Sequence, residues 1–99
     1  MSKGYIIVFV KMTNKEDFMG NYASKVADIF AQFDGKFIVR TPSVSHHEGR
    51  QFDLHVIAEF PSLKKATEAL ESPGYKAILP HRKKNSNVEY GSFMLVSGL

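Results

Sequence analysis

Cysteine and tryptophan are both absent from this chain of 99 residues. Without cysteine the chain has no disulfide framework, no thiolate nucleophile and no cysteine-ligated metal site. The apolar run before Lys11 covers only about seven positions, whereas a membrane-spanning helix needs about 20. We therefore expect neither a signal peptide nor a membrane partner, and we expect a cytosolic protein.

Strong charge of one sign is also missing, since the formal net charge is only +3. The basic residues form two short clusters, Lys64-Lys65 and Arg82-Lys83-Lys84, with no aromatic residues between them. Single-strand binding proteins combine both features, and no glycine-rich phosphate loop is present either. The sequence therefore predicts no nucleic-acid partner and no cofactor.

The four histidines do not have the spacing of metal ligands. His46 and His47 are adjacent, so on a strand they would point to opposite faces. Neither lies three or four residues from His55 or His81, as paired ligands on one helix would. We therefore predict no metal site.

The first elements are a strand and a helix. Residues 5–10 form a β-branched and aromatic run typical of a strand that is buried on both faces. Thr13 and Glu16 have the spacing of a capping box, which predicts a helix start, and Gly35 predicts its end through a left-handed residue. The apolar stripe of this helix comprises Phe18, Tyr22, Val26, Ile29, Phe30 and Phe33.

Three further strands follow from the pattern of apolar residues. Residues 36–41 form a strand that ends before a proline, and residues 48–50 are typical of a hairpin tip. Residues 52–60 alternate, with aliphatic and aromatic side chains on one face and mainly polar ones on the other. Residues 88–96 form the last predicted strand.

Serine residues mark the starts of two more helices. Ser62 is a suitable N-cap for one helix, and Ser72 followed by Pro73 is typical of the start of another. Pro80 predicts the end of this second helix before Arg82, because proline has no N–H to continue the hydrogen-bond ladder.

The order of elements, βαββαβ, predicts one domain over residues 1–99 with an α+β, ferredoxin-like fold. In this fold both helices cover one face of an antiparallel sheet. The predicted strands are apolar on both faces, and a large exposed apolar patch is unusual on a monomer. We therefore expect two copies to pack sheet to sheet as a homodimer.

Six short motifs recur in order along nearly the whole chain as family landmarks. They are Gly4-Tyr5, Gly35 to Arg40, Glu48-Gly49, Glu59-Phe60-Pro61-Ser62, Ser72-Pro73-Gly74-Tyr75 and Leu79-Pro80-His81-Arg82. In these motifs and their spacing the chain resembles the DUF1330 family, and it departs from the family pattern around residues 41–52. The resemblance implies a dimeric α+β barrel, in which two sheets enclose a central space, and it implies no particular activity.

Arg40, His55 and Glu59 are the first candidates for chemistry, on the hypothesis that they project into the space between the sheets. Arg40 would bind an anion such as a carboxylate, and His55 would act as a general base or acid. His55 and Glu59 are the catalytic candidates, and they lie about 13 Å apart along one strand. The structural alternative is that Arg40 and Glu59 pair with each other or with surface groups, and that His55 is an ordinary strand residue.

Tyr75, His81 and Arg82 form a second candidate group. Of these, Tyr75 and Arg82 belong to the predicted ligand-binding set, which Tyr5 completes. The structural alternative is that Tyr75 packs in the core and Arg82 interacts with a helix carboxyl terminus. Two functions follow from these candidates. One is a homodimer with a small-molecule cavity between the sheets. The other is a cofactor-independent oxygenase or isomerase acting on a small aromatic or carbonyl compound. A purely structural or interaction role, which needs none of these candidates, is a third hypothesis.

Overall fold

A computed structural model describes residues 2–99, and it has the predicted βαββαβ order. The strands form one antiparallel sheet in the order β2-β3-β1-β4. The strands are β1 (Gly4–Val10), β2 (Lys36–Thr41), β3 (Leu54–Phe60) and β4 (Ser92–Ser97). The helices are α1 (Lys15–Phe18), a π-helical turn (Met19–Ala23), α2 (Ser24–Ala31), α3 (Leu63–Glu71) and α4 (Pro73–Lys84).

The core lies between the helices and one face of the sheet. Burial alternates strictly along β1 and β3, as expected for strands with only one covered face. The helix-facing positions of these two strands are almost fully buried, and Phe18 and Phe30 from the helices pack against them. These strand residues are Ile6, Val8, Val10, Leu54, Val56, Ala58 and Phe60.

Both predicted ends of the first helical segment lie one residue from the observed ends. The side chain of Asn14, not Thr13, caps α1 by accepting a hydrogen bond of 3.1 Å from the Asp17 amide. After α2 the left-handed residue is Asp34, with φ of 63°, and not Gly35. Glycine is required at position 35 for a different reason, because a Cβ there would overlap the Phe60 ring.

The serine caps are confirmed. The Ser62 side chain accepts from the Lys65 amide at 3.1 Å, and the Ser72 side chain accepts from the Tyr75 amide at 3.3 Å. The expected stop at Pro80 was wrong, since α4 continues through it to Lys84. Tertiary contacts of residues beyond the proline therefore outweigh the missing hydrogen bond.

The hairpin and the last strand differ in detail from the prediction. Gly49 has a positive φ of 92°, but residues 42–53 form one long connection between β2 and β3 and not a tight hairpin tip, and β3 begins at Leu54 and not at residue 52. β4 begins at Ser92 and not at residue 88, because residues 87–91 form a turn. Within it the Gly91 amide donates to the Asn87 carbonyl oxygen at 3.0 Å.

The molecule is thin in one direction. Its Cα atoms extend 34 × 31 × 19 Å, which corresponds to one layer of helices on one sheet. Within residues 2–99, no helix has the length and apolar composition that crossing a membrane requires.

Candidate functional site

The face of the sheet that carries no helices is here called the open face. Its central rung pairs Ile7 with Ile57 and with Met94, and Ile57 also pairs with Val39. The outer rungs are more polar. The strand residues of the open face are Tyr5, Ile7, Phe9, Lys36, Val39, Thr41, His55, Ile57, Glu59, Ser92, Met94 and Val96.

Glu59 forms a charged cluster at one end of the open face. Its Oε1 lies 3.2 Å from Lys3 Nζ and 3.8 Å from Lys36 Nζ, and the Tyr5 hydroxyl donates to its Oε2 at 3.2 Å. The hydrogen bond from Lys3 is the largest cause of a lowered pKa for the Glu59 carboxyl, and the contacts from Tyr5 and Lys36 add to it. Glu59 is therefore ionised at neutral pH and can accept hydrogen bonds but not donate them.

His55 lies at the other end of the open face. Its Nδ1 is 3.0 Å from the Thr41 carbonyl oxygen. Because a carbonyl only accepts, Nδ1 donates, and Nε2 of the neutral ring is left as a proton acceptor. The Phe9 and Phe52 rings contact the imidazole edge-on, at centroid distances of 6.1 and 6.3 Å. A hollow of about 220 Å³ adjoins this ring.

Arg40 does not join His55 and Glu59. It pairs with Val56, whose side chain faces the helices, so Arg40 lies on the helix side of the sheet. A register shift between Phe37 and Val39 has this effect, because one extra residue reverses the faces of those that follow. The guanidinium carbon lies 5.0 Å from the centroid of the Phe37 ring. Arg40 and Glu59 do not pair with each other, but Glu59 pairs with Lys3 and Lys36, which is the other form of the structural alternative.

Tyr75 lies in the core and not between the sheets. Only 2% of its surface is exposed, and its hydroxyl lies 2.7 Å from that of Tyr22. Burial raises the pKa of both phenols, and for Tyr75 the nearby Arg82 opposes part of the rise. The pair is therefore neutral at physiological pH. The stripe pattern identified Tyr22 as a core residue, but it gives no signal that the two hydroxyls meet.

Arg82 also lies on the helix side of the sheet. It follows Tyr75 and Ile78 at helical spacing, so it belongs to the sheet-facing stripe of α4. Its guanidinium carbon is 4.3 Å from the centroid of the Phe93 ring. Its Nε is buried and has no hydrogen-bond partner within residues 2–99.

Sequence reasoning missed a polar junction that centres on Asn85. Asn85 is only 2% exposed, and its side-chain amide donates to the Asp17 carboxylate and to the His81 carbonyl oxygen. Hydrogen bonds from Asn21 and Asn85 lower the pKa of the Asp17 carboxyl. This junction joins the end of α4 to the start of α1, and we assign it a structural role.

The site residues thus divide between the two sides of one sheet. Tyr5, His55 and Glu59 lie on the open face, as predicted. The other three predicted ligand residues, Arg40, Tyr75 and Arg82, lie on the helix side, and the sheet separates the two groups.

Comparisons with known proteins agree with this architecture. A family model described as "Domain of unknown function (DUF1330)" matches residues 3–99. No curated protein matches the chain by sequence.

Solved structures similar to this chain share its fold at low sequence identity. RPA0582 from Rhodopseudomonas palustris, a protein of unknown function, has a TM-score of 0.80 and 18% identity over 99% of this chain and 83% of its own. SnoaB from Streptomyces nogalater, a cofactor-independent oxygenase, has a TM-score of 0.69 and 16% identity over 100% of this chain and 95% of its own. An EthD family protein from Bacillus halodurans has a TM-score of 0.62 and 16% identity, with full coverage of both chains. The predicted α+β, ferredoxin-like fold is confirmed.

Proposed function

The chain belongs to the DUF1330 family of domains of unknown function, and from this membership we propose that it is a homodimer whose two open faces enclose a binding site for a small molecule. The observation that carries the proposal is the apolar centre of the open face. Val39, Met94 and Val96 are each 36–38% exposed there, around half-buried Ile7 and Ile57. Sheets commonly bury such a face by packing against a second sheet about 10 Å away.

A second copy fits this face better than an unrelated partner. A two-fold interface brings the same patch of both subunits together, so the patch must complement itself. The open face meets this condition, because its middle is uncharged and its one charged cluster holds both Lys3 and Lys36 beside Glu59. A single layer of helices also leaves the monomer only 19 Å thick, and a second sheet would complete the burial of its strands.

The polar ends of the open face supply the ligand contacts in this proposal. His55 Nε2 accepts hydrogen bonds beside two aromatic rings, and Glu59 accepts beside two lysine donors. A small aromatic compound with a hydroxyl or carbonyl group matches this set, since its ring suits the Phe9 and Phe52 end. The proposal includes a cytosolic location and names neither nucleic acid nor a membrane as a partner.

The test combines sedimentation with ligand titration. We expect the protein to sediment as a dimer at micromolar concentration. We also expect it to change the fluorescence of 1-naphthol saturably, and this signal is easily distinguished from the fluorescence of a protein without tryptophan. Ile57→Lys places a charge at the centre of the interface and should give a monomer that has lost the naphthol response. Leu63→Lys is the matched control, because Leu63 is 42% exposed on a helix. A stable wild-type monomer would overturn the proposal.

A cofactor-independent oxygenase or isomerase is the second candidate, and the tautomer of His55 favours it. His55 lines the hollow of about 220 Å³, and in the neutral ring Nε2 is the atom that can take a proton from a phenol or an enolisable carbonyl compound. The resemblance to SnoaB supports the fold of such an enzyme only. If the protein is this enzyme, His55→Gln retains naphthol binding and loses oxygen uptake or isomerisation. If no turnover occurs in either form, binding is the whole function.

A further inference from the structure

A groove on the edge of the molecule has no role in the proposed function. It lies between the last turn of α4, the segment 86–92 and the ends of β1 and β4, and its volume is about 610 Å³. This size falls in the range of small-molecule sites. We call it the β4 groove, and the lining residues used below are Lys11, Arg82, Lys83, Asn87, Val88 and Phe93.

The β4 groove is positively charged. Lys11, Arg82 and Lys83 line it, and its lining within residues 2–99 contains no aspartate or glutamate. The ion pair of Lys11 with Asp53 is long, at 3.9 Å, and both side chains are partly exposed. None of the ion pairs formed within residues 2–99 includes Arg82 or Lys83. The groove therefore offers positive charge that the protein itself leaves largely unneutralised.

Arg82 differs from the other arginines that stack on aromatic rings. Arg40 and Arg50 are exposed, whereas Arg82 is partly buried and its Nε is fully covered. Its stacking distance to Phe93 is also the shortest of the three, at 4.3 Å against 5.0 Å and 5.2 Å. Arg82 lines the groove and is only partly buried, so its terminal N–H groups, unlike the covered Nε, can donate to a ligand that brings an acceptor.

The remaining lining residues indicate the rest of the ligand. The Asn87 side-chain oxygen already accepts from the Tyr90 amide at 3.1 Å, which leaves its NH₂ group to donate. Val88 is 52% exposed and Phe93 carries the stacked guanidinium, so both offer apolar surface. The groove thus provides donors for an anionic group and an apolar wall beside them.

We infer that the β4 groove binds a small organic anion, with its carboxylate or phosphate group on Arg82 and its apolar body against Phe93 and Val88. The planar guanidinium matches either group through two parallel hydrogen bonds. Lys83 and Lys11 add charge, and the Asn87 amide adds a donor. The groove borders the open face through Phe9 and Met94, but the inference does not rest on the proposed function, because its central residue, Arg82, lies on the helix side of the sheet.

The test is a titration followed by two-dimensional ¹⁵N NMR at about 0.15 M salt, where charges more than roughly 8 Å apart are screened. The probes are benzoate and phenyl phosphate, with benzamide as the neutral control. We expect saturable shifts for at least one anion at the Arg82 Nε–H resonance and at Asn87, and none for benzamide. The anion that binds more tightly identifies the head group. Ile57→Lys should bind this anion as tightly as the wild type does, because anion binding in the groove does not require the dimer.

Substitutions then decide whether the groove is the site. Arg82→Gln should weaken binding about tenfold or more, and Arg82→Lys should weaken it less, because it keeps the charge but loses the fork. Arg50→Gln is the matched control, since Arg50 stacks on Tyr90 at the surface, and it should change nothing. If Arg82→Gln fails to fold by circular dichroism, Lys83→Gln replaces it, with an expected loss of about twofold or more.

Four results would overturn the inference. The first is anion binding that is unchanged in Arg82→Gln, or in its replacement Lys83→Gln, and the second is an equal loss of anion binding in Arg50→Gln. The third is benzamide binding as tight as anion binding. The fourth is that the anion shifts NMR resonances of residues outside the groove.

Discussion

For single residues, the face of the sheet on which a side chain lies decides which candidate residues can act together. His55 and Glu59 were predicted to share a face because they lie four apart on one strand, and they do. Arg40 was expected to join them from the neighbouring strand. One extra residue in β2 moves Arg40 to the helix side, and nothing in residues 36–41 of the sequence marks where that irregularity falls.

Glu59 should make stability depend on pH. Its pKa in the folded protein lies below the ordinary glutamate value of 4.5, so its contacts stabilise the fold fully above that value. This contribution is lost as the pH falls through the lowered pKa. We expect the wild type to lose more free energy of unfolding than Glu59→Gln does between pH 6 and pH 3, as measured by urea denaturation.

Glu89→Gln is the control for this experiment. Glu89 is exposed and takes part in none of the ion pairs within residues 2–99. Its substitution should leave the wild-type pH dependence in place. Equal pH dependence in Glu59→Gln and the wild type would contradict the role assigned to the Lys3 and Tyr5 contacts.

Elements show where local signals suffice and where they do not. The caps at Ser62 and Ser72 depend on residues three positions away, so the sequence alone predicts them. α4 continues through Pro80 because Tyr75, Ile78 and Asn85 place buried groups on both sides of it. The residue pattern along α4 does not show the contacts that this helix makes with the rest of the fold.

Pro80→Ala should stabilise the protein. Alanine restores the N–H that can donate to the Lys76 carbonyl oxygen and removes the clash of the ring with the preceding turn. We expect the free energy of unfolding to rise by about 1 to 3 kcal/mol. Urea denaturation measures this change.

Pro73→Ala is the matched control, because Pro73 is at the first position of the same helix, where no hydrogen bond is missing. It should leave stability unchanged or lower it by less than about 1 kcal/mol. A loss of stability in Pro80→Ala would show that the proline is adapted to a bend that α4 requires.

The whole molecule is a two-layer structure with one covered and one open face. Its helices bury one side of β1 and β3 completely, while the other side is apolar in the middle and polar at both ends. A monomer gains nothing from exposing Val39, Met94 and Val96. The proposed dimer uses this surface, and the proposed anion groove lies on the edge beside it.

The dimer predicts that thermal stability depends on protein concentration. Folding and association are linked, so mass action raises the Tm as the concentration rises. We expect a clear rise over about a hundredfold range of concentration by differential scanning calorimetry. Ile57→Lys should show no such dependence, and a constant Tm for the wild type would argue against association through the open face.

Much of this protein follows from its sequence. Strand alternation, helical stripes and serine caps are local and repeat at short intervals, so they determine the element order, the ferredoxin-like fold and the residues of the covered face. The absence of cysteine excludes thiol chemistry by composition alone.

The tertiary structure alone decided which functional side chains meet. The position of Arg40 depends on how β2 pairs with β3. The contact between the Tyr22 and Tyr75 hydroxyls and the stacking of Arg82 on Phe93 each join residues of two different elements. Such contacts arise from packing between elements, whereas a sequence pattern records only neighbours within one element. For this reason the sequence predicts a single set of ligand-binding residues, whereas in the structure these residues lie on two sides of the sheet.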